Sequence, residues 1–201
     1  MDFPHLTYSG PPIDDPAILA SVPETYATLL RERNGLIALS GGFHLRGACR
    51  SPAWHSLRAA WEGSAALYHL FPAILPTDVP FGEEACGDQF LLRNGEVVRL
   101  SAETGEVKPV APDLETFLTR VRDDGIATLG LEPLVAFLRE GQKLEPGQLL
   151  SAFPPFCVEE AKNGVTLKAV SGAERLAFLA GLARQLKDVP DGGHIELTTG
   201  P

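Results

Sequence analysis

Residues 81–100 read FGEEACGDQFLLRNGEVVRL. Near the end of this stretch Asn94-Gly95 lies between two apolar runs. Asn-Gly in that setting is the strongest short signal for a two-residue hairpin, because both turn positions require positive φ. A two-residue loop also sets the register. Arg93 then faces Glu96, Leu92 faces Val97, Leu91 faces Val98 and Phe90 faces Arg99. Apolar side chains fall on both faces, so the sheet is expected to be covered on both sides, at least in part. The Arg93–Glu96 pair offers opposite charges across the ladder, worth roughly 0.2–1 kcal/mol. Glu83, Glu84, Asp88 and Glu96 crowd the same stretch with Cys86. They pose the functional question: an acidic catalytic or metal site, or a charged rim that another molecule reads.

Downstream, SAETGEVKPV (101–110) predicts a second turn and a third strand. Pro109 donates no ladder hydrogen bond, so this strand should lie at an edge or end early. PDLETFLTRVRDDG (112–125) predicts a helix with Leu114, Phe117, Leu118 and Val121 on one face and Asp113 as its cap. LEPLVAFLREG (131–141) predicts a short helix, and QKLEPGQLLSAFPPF (142–156) reads as a junction punctuated by Pro and Gly. A second hairpin is expected at Asn163-Gly164 within FCVEEAKNGVTLKAV (156–170). Ser171 and Glu174 form a capping box, and Leu176, Leu179, Leu182, Ala183 and Leu186 stripe the helix behind it. Asp191-Gly192-Gly193 then leads to a last strand, HIELTT (194–199).

Upstream, residues 1–14 read as an irregular arm rich in Pro, Gly and Asp. SVPETYATLLRERNG (21–35) predicts an amphipathic helix with a Ser21/Glu24 capping box, an apolar face of Val22, Tyr26, Leu29 and Leu30, and an Asn34-Gly35 stop. A short strand over Leu36–Leu39 and a bend at Gly41-Gly42 follow. SPAWHSLRAAWEG (51–63) predicts a helix capped by Ser51, with Pro52 at its first position. ALYHLFPAILPTDVP (66–80) suits helix or strand, and its prolines break whichever forms. Strands come in hairpins rather than in βαβ alternation. The expected class is α+β, with a mixed, mostly antiparallel sheet flanked by helices. The expected organisation is a core over 1–140 and a hairpin–helix–strand extension over 141–201, as one packed domain or as core and subdomain.

The 201 residues are 44% hydrophobic and 21% charged, which is ordinary for a folded protein and unlike a disordered one. Cys49, Cys86 and Cys157 are odd in number and widely spaced, so a disulfide framework or a structural zinc site is not expected, and a cytoplasmic setting is. The first residues show no signal-peptide pattern, and no stretch approaches the ~20 apolar residues of a membrane span. The formal net charge is −9 with no basic cluster, which argues against nucleic acid and suits a basic partner.

Motifs for chemistry are sparse. The spacing of Asp78, Glu83, Glu84 and Asp88 matches no EF-hand, and no Walker A loop, G-x-G-x-x-G, H-E-x-x-H or nucleophile elbow occurs. No cofactor or metal is expected. His5, His44, His55, His69 and His194 read individually as surface or hydrogen-bonded histidines.

Several short motifs together carry a resemblance. They are VPETYATLLRERNGLIAL (22–39), GGFHLRG (41–47), LPTDVPFGEEACGDQFLL (75–92), NGEVVRLSAETGEV (94–107) and DLETFL (113–118). In this order they resemble the SUKH superfamily, also called SMI1/KNR4-like. Phe81, Gly82, Gly87, Asp88 and Phe90 match the central piece, and Gly105, Phe117 and Leu118 match the rest. The more specific likeness is to the branch of type VI secretion immunity proteins with a GAD-like N-terminal part, whose C-terminal segment resembles LEPGQLLSAFPPF (144–156). The resemblance covers roughly residues 15–160; residues 48–74 fit it loosely, and 160–201 go beyond it. It implies a binding role without catalysis, in which a toxin, often basic, is neutralised by direct contact. On that basis Asp78, Phe81, Gly82, Asp88 and Phe43 are expected to line the binding face, the phenylalanines as anchors and Asp88 as a directional charge. The other readings are an enzyme using Asp78 and Asp88 as acid and base, and a regulatory scaffold.

Overall fold

The computed structural model describes residues 2–187 and residue 189. The expected Asp191-Gly192-Gly193 turn and the strand over 194–199 lie outside them. Seven strands form one sheet in sequence order, each antiparallel to the next: β1 (Tyr8–Ser9), β2 (Leu36–Ala38), β3 (Phe43–Leu45), β4 (Val79–Glu84), β5 (Gln89–Arg93), β6 (Glu96–Ser101) and β7 (Glu106–Ala111). The fold is α+β.

The Asn94-Gly95 hairpin forms in the expected register, with Asn94 at φ 53° and Gly95 at φ 91°. Its two faces serve two apolar clusters. Phe90, Leu92 and Val97 pack with Phe43, Phe81 and Phe117 on one side, while Leu91, Val98 and Leu100 pack on the other with Leu67, Phe71 and Leu179. Strand β7, which carries Pro109, is one of the two edges, as expected. Arg93 pairs elsewhere than across the turn. Its Nε and Nη2 donate to Asp78 at 2.9 and 2.6 Å, and Nη2 also reaches the Ala73 carbonyl at 2.9 Å. A buried carboxylate offering both oxygens is a better partner than exposed Glu96.

The expected helix forms as α2 (Glu24–Glu32), and a short helix that the sequence reading did not expect, α1 (Pro16–Ser21), precedes it. The expected Ser21/Glu24 capping box is not made. Ser21 ends α1 and its Oγ donates to the Ala17 carbonyl, while Glu24 pairs with Arg31 at 2.5 Å. Pro23 is the cause, since a proline biases the residue before it away from helix. Asp15 caps α1, accepting from Ile18 N, and Arg58 holds its carboxyl down at about 2. The next helix also starts later than expected. Ser56, not Ser51, caps α3 (Leu57–Trp61), and α4 (Leu67–Leu70) follows. The preceding backbone is occupied elsewhere: Gly47 N donates to the His55 carbonyl and Leu57 N to the Gly47 carbonyl, each at 2.9 Å.

Helix α5 (Leu114–Asp123) is capped by Asp113 as expected, and α6 (Gly125–Leu129) and α7 (Glu132–Arg139) follow. The expected junction is instead a strand, β8 (Gln148–Phe153), which pairs with β9 (Thr166–Ser171). The residues before Gly164 form a 3-10 turn (Glu159–Asn163), so the second hairpin draws its first arm from upstream of Pro154-Pro155. Ser171 caps α8 (Gly172–Leu186), accepting from Glu174 N. Strand β8 is tied to the main sheet through Leu150 N and the Ala85 carbonyl at 2.7 Å, and Leu179, Ala180 and Ala183 of α8 complete the second apolar cluster.

Candidate functional site

Four of the five expected binding residues are interior. Phe43 and Phe81 are 0% exposed and stack around Phe117, with ring centroids 6.1 and 5.7 Å from it. They are core side chains, not anchors for a partner, and Phe81 shares its face with Val79 by strand alternation. Gly82 is a packing glycine: a Cβ there would lie 2.9 Å from the His44 carbonyl. Asp78 is buried, bonded to Arg93 and to Leu75 N. Asp88 alone borders open space, paired with Arg99 at 2.7 Å and accepting from Ala102 N at 2.8 Å. Asp78 and Asp88 flank the two ends of β4, which at the usual strand rise separates them by about 20 Å. They do not form one acid–base pair.

Sequence reasoning missed a buried polar chain crossing β3–β5. His55 Nε2 contacts the Asn34 carbonyl at 3.0 Å, and His55 Nδ1 contacts His44 Nε2 at 2.9 Å. His44 Nδ1 meets Glu83 Oε1 at 2.8 Å. Arg46 then donates to Glu83 Oε2 and to Gln89 Oε1, both at 2.8 Å, and to the Pro80 and Gly82 carbonyls. The clue was cross-strand pairing, because Glu83 is the register partner of both His44 and Gln89. Burial opposes ionisation of Glu83, but Arg46 and His44 overcome it and hold the carboxyl at about 2. Burial pushes His44 down against the pull of Glu83, and burial with neighbouring His44 pushes His55 down to about 4. The cavity beside His44 and Glu83 measures about 20 Å³, the size of one water rather than a substrate. The chain is a structural spine.

A pH signature follows. His55 titrates at 6.5 when unfolded and about 4 when folded, so its contribution is full above pH 6.5 and is lost as pH falls through 4. Glu84 runs the opposite way. Burial and the Asp88 charge raise it from 4.5 to about 7, so its contribution is present below pH 4.5 and lost as pH rises through 7. The two oppose one another in this range, and His44, which burial also pushes down, acts on the same side as His55. Wild-type stability should therefore fall on acidification from pH 7 to 5. Glu84→Gln should steepen that fall and His55→Asn should flatten it; urea midpoints across that range check both.

The open concavity lies between the β4–β5 turn, β6 and the turn after it, the start of α7, the segment after β8, and Arg175 of α8. It measures about 530 Å³. Its wall carries Glu84, Asp88, Glu103 and Glu132 against Arg99 and Arg175. Glu84 accepts from Cys86 N and Asp88 N, which fixes the tight turn. Gly87 at φ 109° brings that turn onto α8, where a Cβ would sit 2.7 Å from Leu179 Cδ1. Glu103 accepts from Phe156 N at 3.2 Å and Cys157 N at 2.8 Å, and so ties the segment after β8 to the β6–β7 turn. Phe156 lines the cleft and is 40% exposed; Phe153, at the end of β8, is 69% exposed. Burial and nearby carboxylates push the Cys157 thiol up to about 12 and raise Cys86 as well, so neither is a thiolate at neutral pH. Among the described residues no group of three or more His, Cys, Asp or Glu converges on a metal position, and no helix is long and apolar enough to cross a membrane.

The fold has a solved counterpart. It is similar to the crystal structure of Atu4351 from Agrobacterium tumefaciens, with a TM-score of 0.50 and 15% identity, covering 87% of this chain and 85% of that one. At that identity the likeness speaks to fold alone. No protein-family model matches the chain, and no curated protein matches it.

Proposed function

We propose that the chain is a non-catalytic binding protein of the immunity type, which neutralises a basic protein toxin by direct contact at the cleft rim. The observation that carries this reading is exposed Phe156 on a wall with four carboxylates and two guanidiniums, with exposed Phe153 three residues before it. Exposed aromatics make strong anchors when a partner desolvates them. The acidic wall and the net charge of −9 favour encounter with a basic surface. The groups an enzyme would use are spent on structure: His44, His55 and Glu83 are mutually bonded in the interior, and Asp78 is held by Arg93. The resemblance of its motifs to the SUKH superfamily and its type VI secretion immunity branch points the same way, and the proposed setting is cytoplasmic. The binding face moves from the phenylalanines of the core to the segment after β8.

The test compares wild type with a Phe153→Ser/Phe156→Ser variant, both immobilised and exposed to lysate of the source cells. One basic protein should be retained at equal stoichiometry by the wild type and released by salt. The variant should lose it while keeping its thermal midpoint. Equal retention on both would move the interface elsewhere.

A further inference from the structure

Arg175 lies on the buried face of α8, four residues before Leu179, and is 1% exposed. Its Nε donates to the Cys86 carbonyl at 3.1 Å, and its Nη2 makes a long contact to Glu103 at 3.4 Å. Nη1 has no hydrogen-bond partner; among the described residues it is the one buried side-chain nitrogen or oxygen in that condition. The Phe178 ring, 5.7 Å from Cζ, steadies the charge but does not replace a conventional acceptor. Native proteins rarely leave a buried donor unpaired, and a charged one costs more than a neutral one. Glu103 is already committed to two backbone N–H groups. Arg99 lines the same cleft and spends its Nε on Asp88, while its two Nη groups make no hydrogen bond among the described residues. Arg175 and Arg99 thus line one space of about 530 Å³, a size suited to a small molecule, with the unpaired Arg175 Nη1 buried rather than open to solvent.

We propose that the cleft floor binds a carboxylate through Arg175 and Arg99, carried on a ligand that also bears a cation, of the amino-acid or short-peptide class. The guanidinium fork matches a carboxylate in shape and charge. The cationic half follows from the wall. Even with partly protonated Glu84 set aside, three carboxylates face two guanidiniums, so a phosphate dianion meets net repulsion, whereas an ammonium group is drawn to exposed Glu132. This subsite does not depend on toxin binding: it uses the floor, and the toxin proposal uses the exposed rim.

The experiment titrates the full chain with glycylglycine, with acetate, inorganic phosphate and methylammonium in parallel. Binding is followed by arginine side-chain NMR and by thermal denaturation. Glycylglycine should shift the Arg175 resonances saturably and raise the thermal midpoint, acetate should act more weakly, and phosphate and methylammonium should leave Arg175 unmoved. Arg175→Met should weaken glycylglycine binding at least about tenfold, the loss of one charge-assisted hydrogen bond. If that variant does not fold, Arg99→Gln and the wild-type Arg175 resonances decide. Unmoved Arg175 resonances, phosphate binding tighter than glycylglycine, or undiminished binding by Arg175→Met would overturn the assignment.

Discussion

Replacing Glu83 by alanine is expected to cost about 3–5 kcal/mol of folding stability, the usual penalty for breaking a buried ion pair from one side. Glu83 accepts from Arg46 and His44 at 2.8 Å and from Gln89 at 3.1 Å, all in the interior. Without it the Arg46 charge remains buried with only neutral acceptors: Gln89 Oε1 and the Pro80 and Gly82 carbonyls. The disturbance spreads along the chain, because His44 loses the acceptor that orients it and His55 is held by His44 in turn. A domain's whole stability is about 5–15 kcal/mol, so the variant should sit near the edge of folding. Urea unfolding at neutral pH reads the effect as a lower midpoint. The pair Glu83→Leu/Arg46→Met should recover part of the loss, since it removes both charges together. A loss confined to the alanine variant would mark the network as an interior strut.

Phe43→Ala is expected to cost a similar amount, about 3–5 kcal/mol, by leaving a cavity. Phe43 touches Phe3, Phe90 and Phe117 at ring separations of 5.8, 6.3 and 6.1 Å and has no exposed surface. The same change would spare stability if Phe43 were the surface anchor that its place beside a Gly-Gly bend suggested. Thermal denaturation separates the cases: a large fall in midpoint marks the core, whereas an unchanged midpoint with weaker partner binding would restore the surface role.

Local chemistry made much of the fold legible. Asn94-Gly95 specified its turn and register, Asp113 and Ser171 announced two helices, and Pro109 marked an edge strand. What misled was local as well. Ser21 and Glu24 have capping-box spacing, yet Ser21 closes α1 and Pro23 stands at the N-cap of α2. Strand β8 was hidden because its partner lies across the prolines at 154–155, a pairing that composition does not encode. The site was less legible than the fold. Glycines beside phenylalanines can mean a face that admits a partner or a sheet that packs tightly, and only burial distinguishes them. The signal that could have found the cleft was Arg175, a lone charge in step with Leu179 and Leu182 on an otherwise apolar helix face. Neither the long reach from Glu103 to Cys157 N nor the turn contact between Gly87 and Leu179 has a local trace in the sequence.

The most direct test of the central claim is protection. The chain is co-expressed with the toxin it retains, and cell growth is compared for the wild type and for Phe153→Ser/Phe156→Ser at matched protein levels. The account predicts growth with the wild type, arrest with the variant, and unchanged folding of both. Full protection by the variant, or a wild type that binds the toxin without protecting, would contradict it.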